Sequence, residues 1–231
     1  MSIWSRVTHA VQDVSTAGAD LVERVVESVA GTEEERRAVA FTAAIVALAA
    51  KMAKADGVVT SDEVAVFRRN VQIPEGEERN VDRLFRLAQQ DVAGFESYAE
   101  RIARLFQDDP AFLADILDVL FRIAAADGIV HEYELGFLAR VGEIFGIGDL
   151  QFRCLRARHI REGALDPYLV LGIDPGADPD ALRRQYRKLV VEHHPDRMIA
   201  RGVPAEFVAI ANDRLAAVND AWAQIRRERG I

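Results

Sequence analysis

The alternation of apolar and polar positions predicts helices almost from end to end. Residues 3–29 carry Ile3, Trp4, Val7, Val11, Val14, Leu21, Val25 and Val29 at mostly helical spacing, as a loose amphipathic helix does. Between 34 and 160 the pattern divides into about seven helices. The breaks fall near Asp56-Gly57, Pro74-Glu75-Gly76, Gly94, Asp108-Asp109-Pro110, Asp127-Gly128 and Gly146-Ile147-Gly148. Asp109 before Pro110 is an N-cap ahead of a proline at the first helical position. The most apolar run, Ala38 to Ala50, is shorter than the ~20 residues that span a bilayer and reads as a buried helix. A polar, glycine-containing linker, 161–165, leads to a final unit, 166–231. There Asp166-Pro167 and Asp178-Pro179 repeat the capping signal and predict helices over 167–171 and 179–193, with a third over about 205–227.

An internal repeat lies within the long central stretch. The segment 52–63 (MAKADGVVTSDE) matches 123–134 (IAAADGIVHEYE). Each copy ends a helix, turns at Asp-Gly, passes two β-branched residues and starts a new helix. Two such helix pairs packed together predict one compact domain, with Ile45, Leu48, Met52, Ile116, Leu120 and Ile123 in its core.

The acids of the repeat, Asp56, Glu63, Asp127 and Glu134, allow two readings. In one, Gly57 and Gly128 close helices and Thr60-x-x-Glu63 is a capping box. Asp56 and Asp127 then sit at the negative end of a helix dipole, at a cost of about 0.3–1 kcal/mol. His131 replaces Thr60 in the second copy, so capping is not expected there. In the other reading the four carboxylates gather into a site for a divalent cation, calcium or magnesium by their oxygen chemistry, with zinc to be tested beside them.

Composition narrows the function classes. The chain has 231 residues, 50% hydrophobic and 29% charged, as a soluble globular protein of one or two domains does. Net charge is -8. Residues 166–231 hold ten basic and ten acidic side chains, and the rest holds 19 against 27. An acidic body argues against nucleic acid as a partner. The single cysteine, Cys154, forms no internal disulfide, which points to a reducing, cytoplasmic setting. No signal peptide is expected, because the N-terminus lacks a basic start followed by an unbroken apolar run. No glycine-rich phosphate loop or nucleophile paired with a base is present, so an enzyme is not expected.

The final unit carries the sharpest chemistry. Leu182, Tyr186, Leu189 and His193 form one apolar seam, and Val208, Ala211, Leu215, Val218, Trp222 and Ile225 form another. Such stripes pair as an antiparallel hairpin, plugged by Tyr168, Leu169 and Leu171. At about 100° per residue, Arg183, Arg184, Arg187 and Lys188 share one sector away from the seam. The helix then meets His193-His194-Pro195-Asp196. Proline keeps His194 out of the α region, which ends the helix and exposes His194, Pro195 and Asp196. His193 falls on the seam and reads as packing.

These residues resemble a known family. Arg184-Gln185-Tyr186-Arg187-Lys188-Leu189 followed by His194-Pro195-Asp196, after the opening Asp166-Pro167-Tyr168-Leu169-Val170-Leu171-Gly172, is similar to the J-domain of DnaJ proteins. The resemblance implies an all-α protein that stimulates ATP hydrolysis by a DnaK-type chaperone, which closes on a client. The tripeptide and the basic helix would dock on the partner, and Asp196 would meet a partner arginine. The loop Arg197 to Pro204 resembles the variant of DjlA-type co-chaperones. The repeated Asp-Gly turns over 34–160 resemble the TerB domain, whose acidic clusters imply the cation reading above. DjlA-type proteins begin with a membrane-spanning helix and dimerise through their N-terminal segment. The segment here differs, which leaves a peripheral membrane contact through 3–29 and a homodimer as expectations to test. The rival reading is a stress-response scaffold that binds metal or partners, with the J-domain as an adaptor.

Overall fold

The computed structural model describes residues 3–12, 31–54, 67, 73, 75–76, 78–90, 94–125, 128, 130–160 and 166–231. Among the described residues there are eleven α-helices and no strand. They are α1 (Ile3–Gln12), α2 (Glu33–Lys54), α3 (Glu78–Gln90), α4 (Phe95–Leu105), α5 (Pro110–Ala124), α6 (Glu132–Ile144), α7 (Asp149–His159), α8 (Pro167–Leu171), α9 (Pro179–Glu192), α10 (Pro195–Ala200) and α11 (Val208–Arg229).

The apolar run read as a buried helix is the axis of the N-terminal bundle. Every residue of α2 from Val39 to Met52 is buried, and α1, α3, α4 and α5 pack around it. Its start is fixed by a capping box. Thr32 Oγ1 accepts from the Glu35 amide at 3.2 Å, and Glu35 Oε2 accepts from the Thr32 amide at 2.9 Å. Arg6 of α1 adds an ion pair to Glu35 at 3.1 Å. The core positions expected on both sides of the repeated turn are all buried: Ile45, Leu48, Met52, Ile116, Leu120 and Ile123. Asp56, Glu63 and Asp127 lie outside the described residues, and so does most of the first copy of the repeat.

The expected 3–29 helix is described over α1 only. Its apolar residues Ile3, Trp4 and Val7 are buried in the bundle core. Trp4 meets Phe67 at 6.2 Å, ring edge to face, and Phe207 at 6.2 Å. Among the described residues no helix is long and apolar enough to cross a membrane.

Packing crosses the boundary that the sequence suggests at 161–165. Met198, Val203, Phe207 and Ala211 belong to the core of the N-terminal bundle, not to that of the final unit. Phe207 stands against Phe41 at 5.2 Å. The second core is smaller and holds Val170, Leu171, Leu182, Leu189, Val218, Ala221 and Ile225. Helix α11 therefore serves both, its first turns in one core and its later turns in the other. The short plug helix differs from expectation in one residue: Val170 is buried where Leu169 was expected. A five-residue helix capped at both ends turns only one face inward, and here Val170 and Leu171 hold that face.

Candidate functional site

Helix α9 begins at an N-cap and a proline. Asp178 Oδ1 accepts from the Ala181 amide at 2.8 Å, and Pro179 fills the first helical position. That backbone bond is the main reason the Asp178 carboxyl sits below its ordinary pKa. The helix buries Leu182 and Leu189. Tyr186 stacks on Trp222 at 4.9 Å, and its hydroxyl donates to Asn219 at 3.0 Å. Arg183, Arg184, Arg187 and Lys188 are all exposed on the outer face, as the sequence predicts. Arg183 pairs with Asp180 at 3.0 Å, and Lys188 lies 3.8 Å from Glu192.

The helix stops at His193, and His194 is extended (φ -65°, ψ 134°) as its following proline requires. The segment beyond is not the loop expected for Arg197 to Pro204. It opens with the short helix α10, and His194 is its N-cap. The His194 carbonyl accepts from the Arg197 amide at 2.9 Å. Its ring Nδ1 accepts from the Asp196 amide at 3.2 Å, which leaves the proton on Nε2. Both ends of the tripeptide remain open to solvent: the His194 side chain is 50% exposed and that of Asp196 is 86% exposed.

The flanks of the tripeptide are held from behind by the N-terminal bundle. Asp115 and Asp118 stand three residues apart on α5 and point at α11. Arg214 Nε donates to Asp118 at 3.0 Å, and its Nη2 also faces that carboxylate. Its Nη1 donates to Asp115 at 3.2 Å and to His193 Nδ1 at 3.0 Å. Arg201 donates twice to Asp115, at 3.0 and 2.5 Å. His159 of α7 pairs with the other Asp118 oxygen at 3.0 Å. Burial pushes the Asp118 carboxyl up, but the charges of Arg214 and His159 outweigh it and hold Asp118 well below the usual carboxylate range. Burial, with Arg214 beside it, drives His193 down to about 2, so its ring is neutral. His193 Nε2 has no hydrogen-bond partner among the described residues.

Two glycines let the final unit close on the bundle. Gly202 has φ +90°, and a Cβ there would come 2.6 Å from Arg37 Cβ. Arg37 caps this turn by donating from Nε to the Arg201 carbonyl at 2.9 Å, while its other end pairs with Asp109. Gly172 has φ +62°, and a Cβ there would come 3.1 Å from Cys154 Sγ.

Sequence reading missed Asp115, Asp118, Arg201 and Arg214. One signal was present: two acids three apart inside the otherwise apolar run 112–121. Acids on one face of a buried helix require buried counter-charges.

Of the acids assigned to a cation, only Glu134 is described. Its Oε2 accepts from the His131 amide at 2.8 Å at the start of α6. The capping box not expected in this copy is therefore present. No cluster of three or more His, Cys, Asp or Glu suited to a metal occurs among the described residues.

The family model described as "Tellurite resistance protein TerB" matches residues 42–157, and the one described as "DnaJ domain" matches 166–223. Among known proteins, the co-chaperone protein DjlA of Photobacterium profundum is 28% identical over 226 residues, 86% of this chain and 80% of that protein. The co-chaperone protein DjlA of Coxiella burnetii is 28% identical over 200 residues, 78% of this chain and 74% of its own. That of Vibrio cholerae is 26% identical over 234 residues, with 87% and 82% covered. No solved structure matches the chain significantly.

Proposed function

We propose a function from the premise that this chain belongs to the TerB family and carries a DnaJ domain behind its TerB domain. It is a J-domain co-chaperone. Its partner is a DnaK-type chaperone, whose ATP hydrolysis it stimulates. The observation that carries this reading is the exposed His194-Pro195-Asp196 tripeptide, set as the N-cap of α10 beside the exposed basic face of α9.

The chemistry belongs to the partner, and this chain supplies a shaped and charged contact. Arg183, Arg184, Arg187 and Lys188 steer the approach to an acidic surface. Asp196, almost fully exposed, offers its carboxylate for a charge-assisted bond to a cation of the partner. Pro195 fixes the turn, and the exposed His194 ring presents Nε2–H outward. The TerB domain regulates the J-domain by fixing it in place, a role supported by the pairing of Asp115 and Asp118 with residues on both sides of the tripeptide.

Single-turnover ATP hydrolysis by the DnaK-type chaperone, with the wild-type protein and with His194→Gln, tests the function. The wild type accelerates hydrolysis and the variant does not. Stimulation by neither protein would remove the co-chaperone reading in favour of a scaffold, and equal stimulation by both would take the trigger away from the tripeptide.

A further inference from the structure

A cleft of about 570 Å3 separates α5 and α7 of the TerB domain from α8, α9 and α10 of the J-domain. Five cations but only two carboxylates line it. Arg201 and Arg214 are committed to Asp115 and Asp118. Lys188 has Glu192 at 3.8 Å, and Arg197 is exposed at the rim.

Arg158, near the end of α7, is different. It is half-buried and makes no ion pair among the described residues. Its Nε and Nη2 each lie 3.4 Å from the Val170 carbonyl oxygen, at the far limit of a hydrogen bond. Burial, and the charge of Arg214 close by, push the guanidinium below its ordinary pKa. Asp118 and Glu192 offset part of this, but neither pairs with it, so a carboxylate seated on the guanidinium adds a charge-assisted bond that this desolvated cation lacks.

Besides Gln151 and Gln185, much of the remaining wall is apolar: Ala111 and Leu150 exposed on the TerB side, Leu189 on the J-domain side. A free inorganic anion has no use for them, whereas an acidic residue within an apolar stretch of chain does. Position selects the source. Lys188 and Arg197 line the cleft and also flank the His-Pro-Asp tripeptide, so a partner seated there covers the mouth.

We propose that an acidic segment of the DnaK-type partner enters this cleft and sets a carboxylate on Arg158, which makes the TerB domain part of the docking surface. This rests on the co-chaperone reading above. The TerB side contributes affinity, and the tripeptide contributes the trigger.

The test is a single-turnover ATPase titration with the full chain as wild type, Arg158→Gln, Ala111→Glu and His194→Gln. Glutamine keeps a donor for the Val170 carbonyl. In Arg158→Gln the half-saturating concentration rises roughly tenfold, the worth of one charged hydrogen bond, while the plateau is unchanged. Ala111→Glu, at an exposed position on the α5 lining of the cleft, supplies an internal carboxylate and gives the same rise. If Arg158→Gln melts early, Ala111→Glu decides. Variant titrations that superimpose on the wild type overturn the proposal. So does inorganic phosphate that raises the melting temperature of the wild type but not of Arg158→Gln, if the titrations do not move: the cleft then takes a free anion. A wild type that fails to stimulate at all removes the co-chaperone reading itself, whereas stimulation lost only in His194→Gln leaves that reading standing without the cleft.

Discussion

His193 and His194 are neighbours in sequence and opposite in circumstance. His193 is neutral, its Nδ1 taken by Arg214. His194 is half exposed, and its ring accepts from the Asp196 amide of its own turn. The same division runs through the arginines around them. Arg201 and Arg214 face inward to the acids of α5, and Arg183, Arg184 and Arg187 face outward. The inward set fixes where the tripeptide stands. The outward set is what a partner can reach. A buried ionic group is weak evidence for net stability, because desolvation offsets much of its attraction, but removing one member leaves the others uncompensated.

The inward set breaks most severely. Arg214→Ala strips the charge partner from Asp118 and should cost about 3–5 kcal/mol in thermal unfolding. A loss under about 1 kcal/mol would reduce these contacts to the rank of surface pairs. Next comes acid. His193 titrates near 2 in the fold against 6.5 when unfolded, among Arg214, Arg158, Asp118 and Arg201. Below pH 6.5 the unfolded chain therefore takes up a proton that the folded chain refuses. Stability should fall by about 2 kcal/mol between pH 7 and pH 5, measured by urea unfolding. His193→Gln should flatten that slope, and an unchanged slope would place the titration elsewhere. Gly202→Ala adds a side chain at positive φ against Arg37 and should cost about 1–3 kcal/mol in melting experiments. The outward set should barely register in stability. Arg184→Ala and Arg187→Ala together should stay within ~0.5 kcal/mol of the wild type. They should instead raise the half-saturating concentration in the ATPase assay and make it less sensitive to salt.

What could be read from the chain follows the same line. The outward residues were legible because they form a local pattern: four cations in one helical sector, then a proline that forces an exposed turn. The buried axis α2 was legible because Ala38 to Ala50 is apolar at every position but Thr42. The inward contacts join residues 86 to 99 positions apart, and no local period encodes such a distance. The seam of α11 shows the difficulty. The apolar spacing picks Ala211, Leu215, Val218, Trp222 and Ile225, whereas the buried stripe is Ala211, Arg214, Val218, Ala221 and Ile225. An arginine on the inner stripe reads as a gap in the pattern until its acids are known. The domain boundary failed as a boundary of packing for the same reason: Phe207 lies in the final unit by sequence and beside Trp4 and Phe41 by contact.

The buried acids also impose a schedule on synthesis. Asp118 leaves the ribosome 96 residues ahead of Arg214. At typical elongation rates this is a delay of roughly 5–20 s. Until Arg201 and Arg214 emerge, the acid face of α5 has only His159 of its own bundle as a partner and must stay wetted, and the places of Phe207 and Ala211 in the first core stand vacant. The core of the bundle made first is therefore complete only when Phe207, Ala211 and Arg214 arrive, so this co-chaperone spends the opening seconds of its own life as an unfinished client.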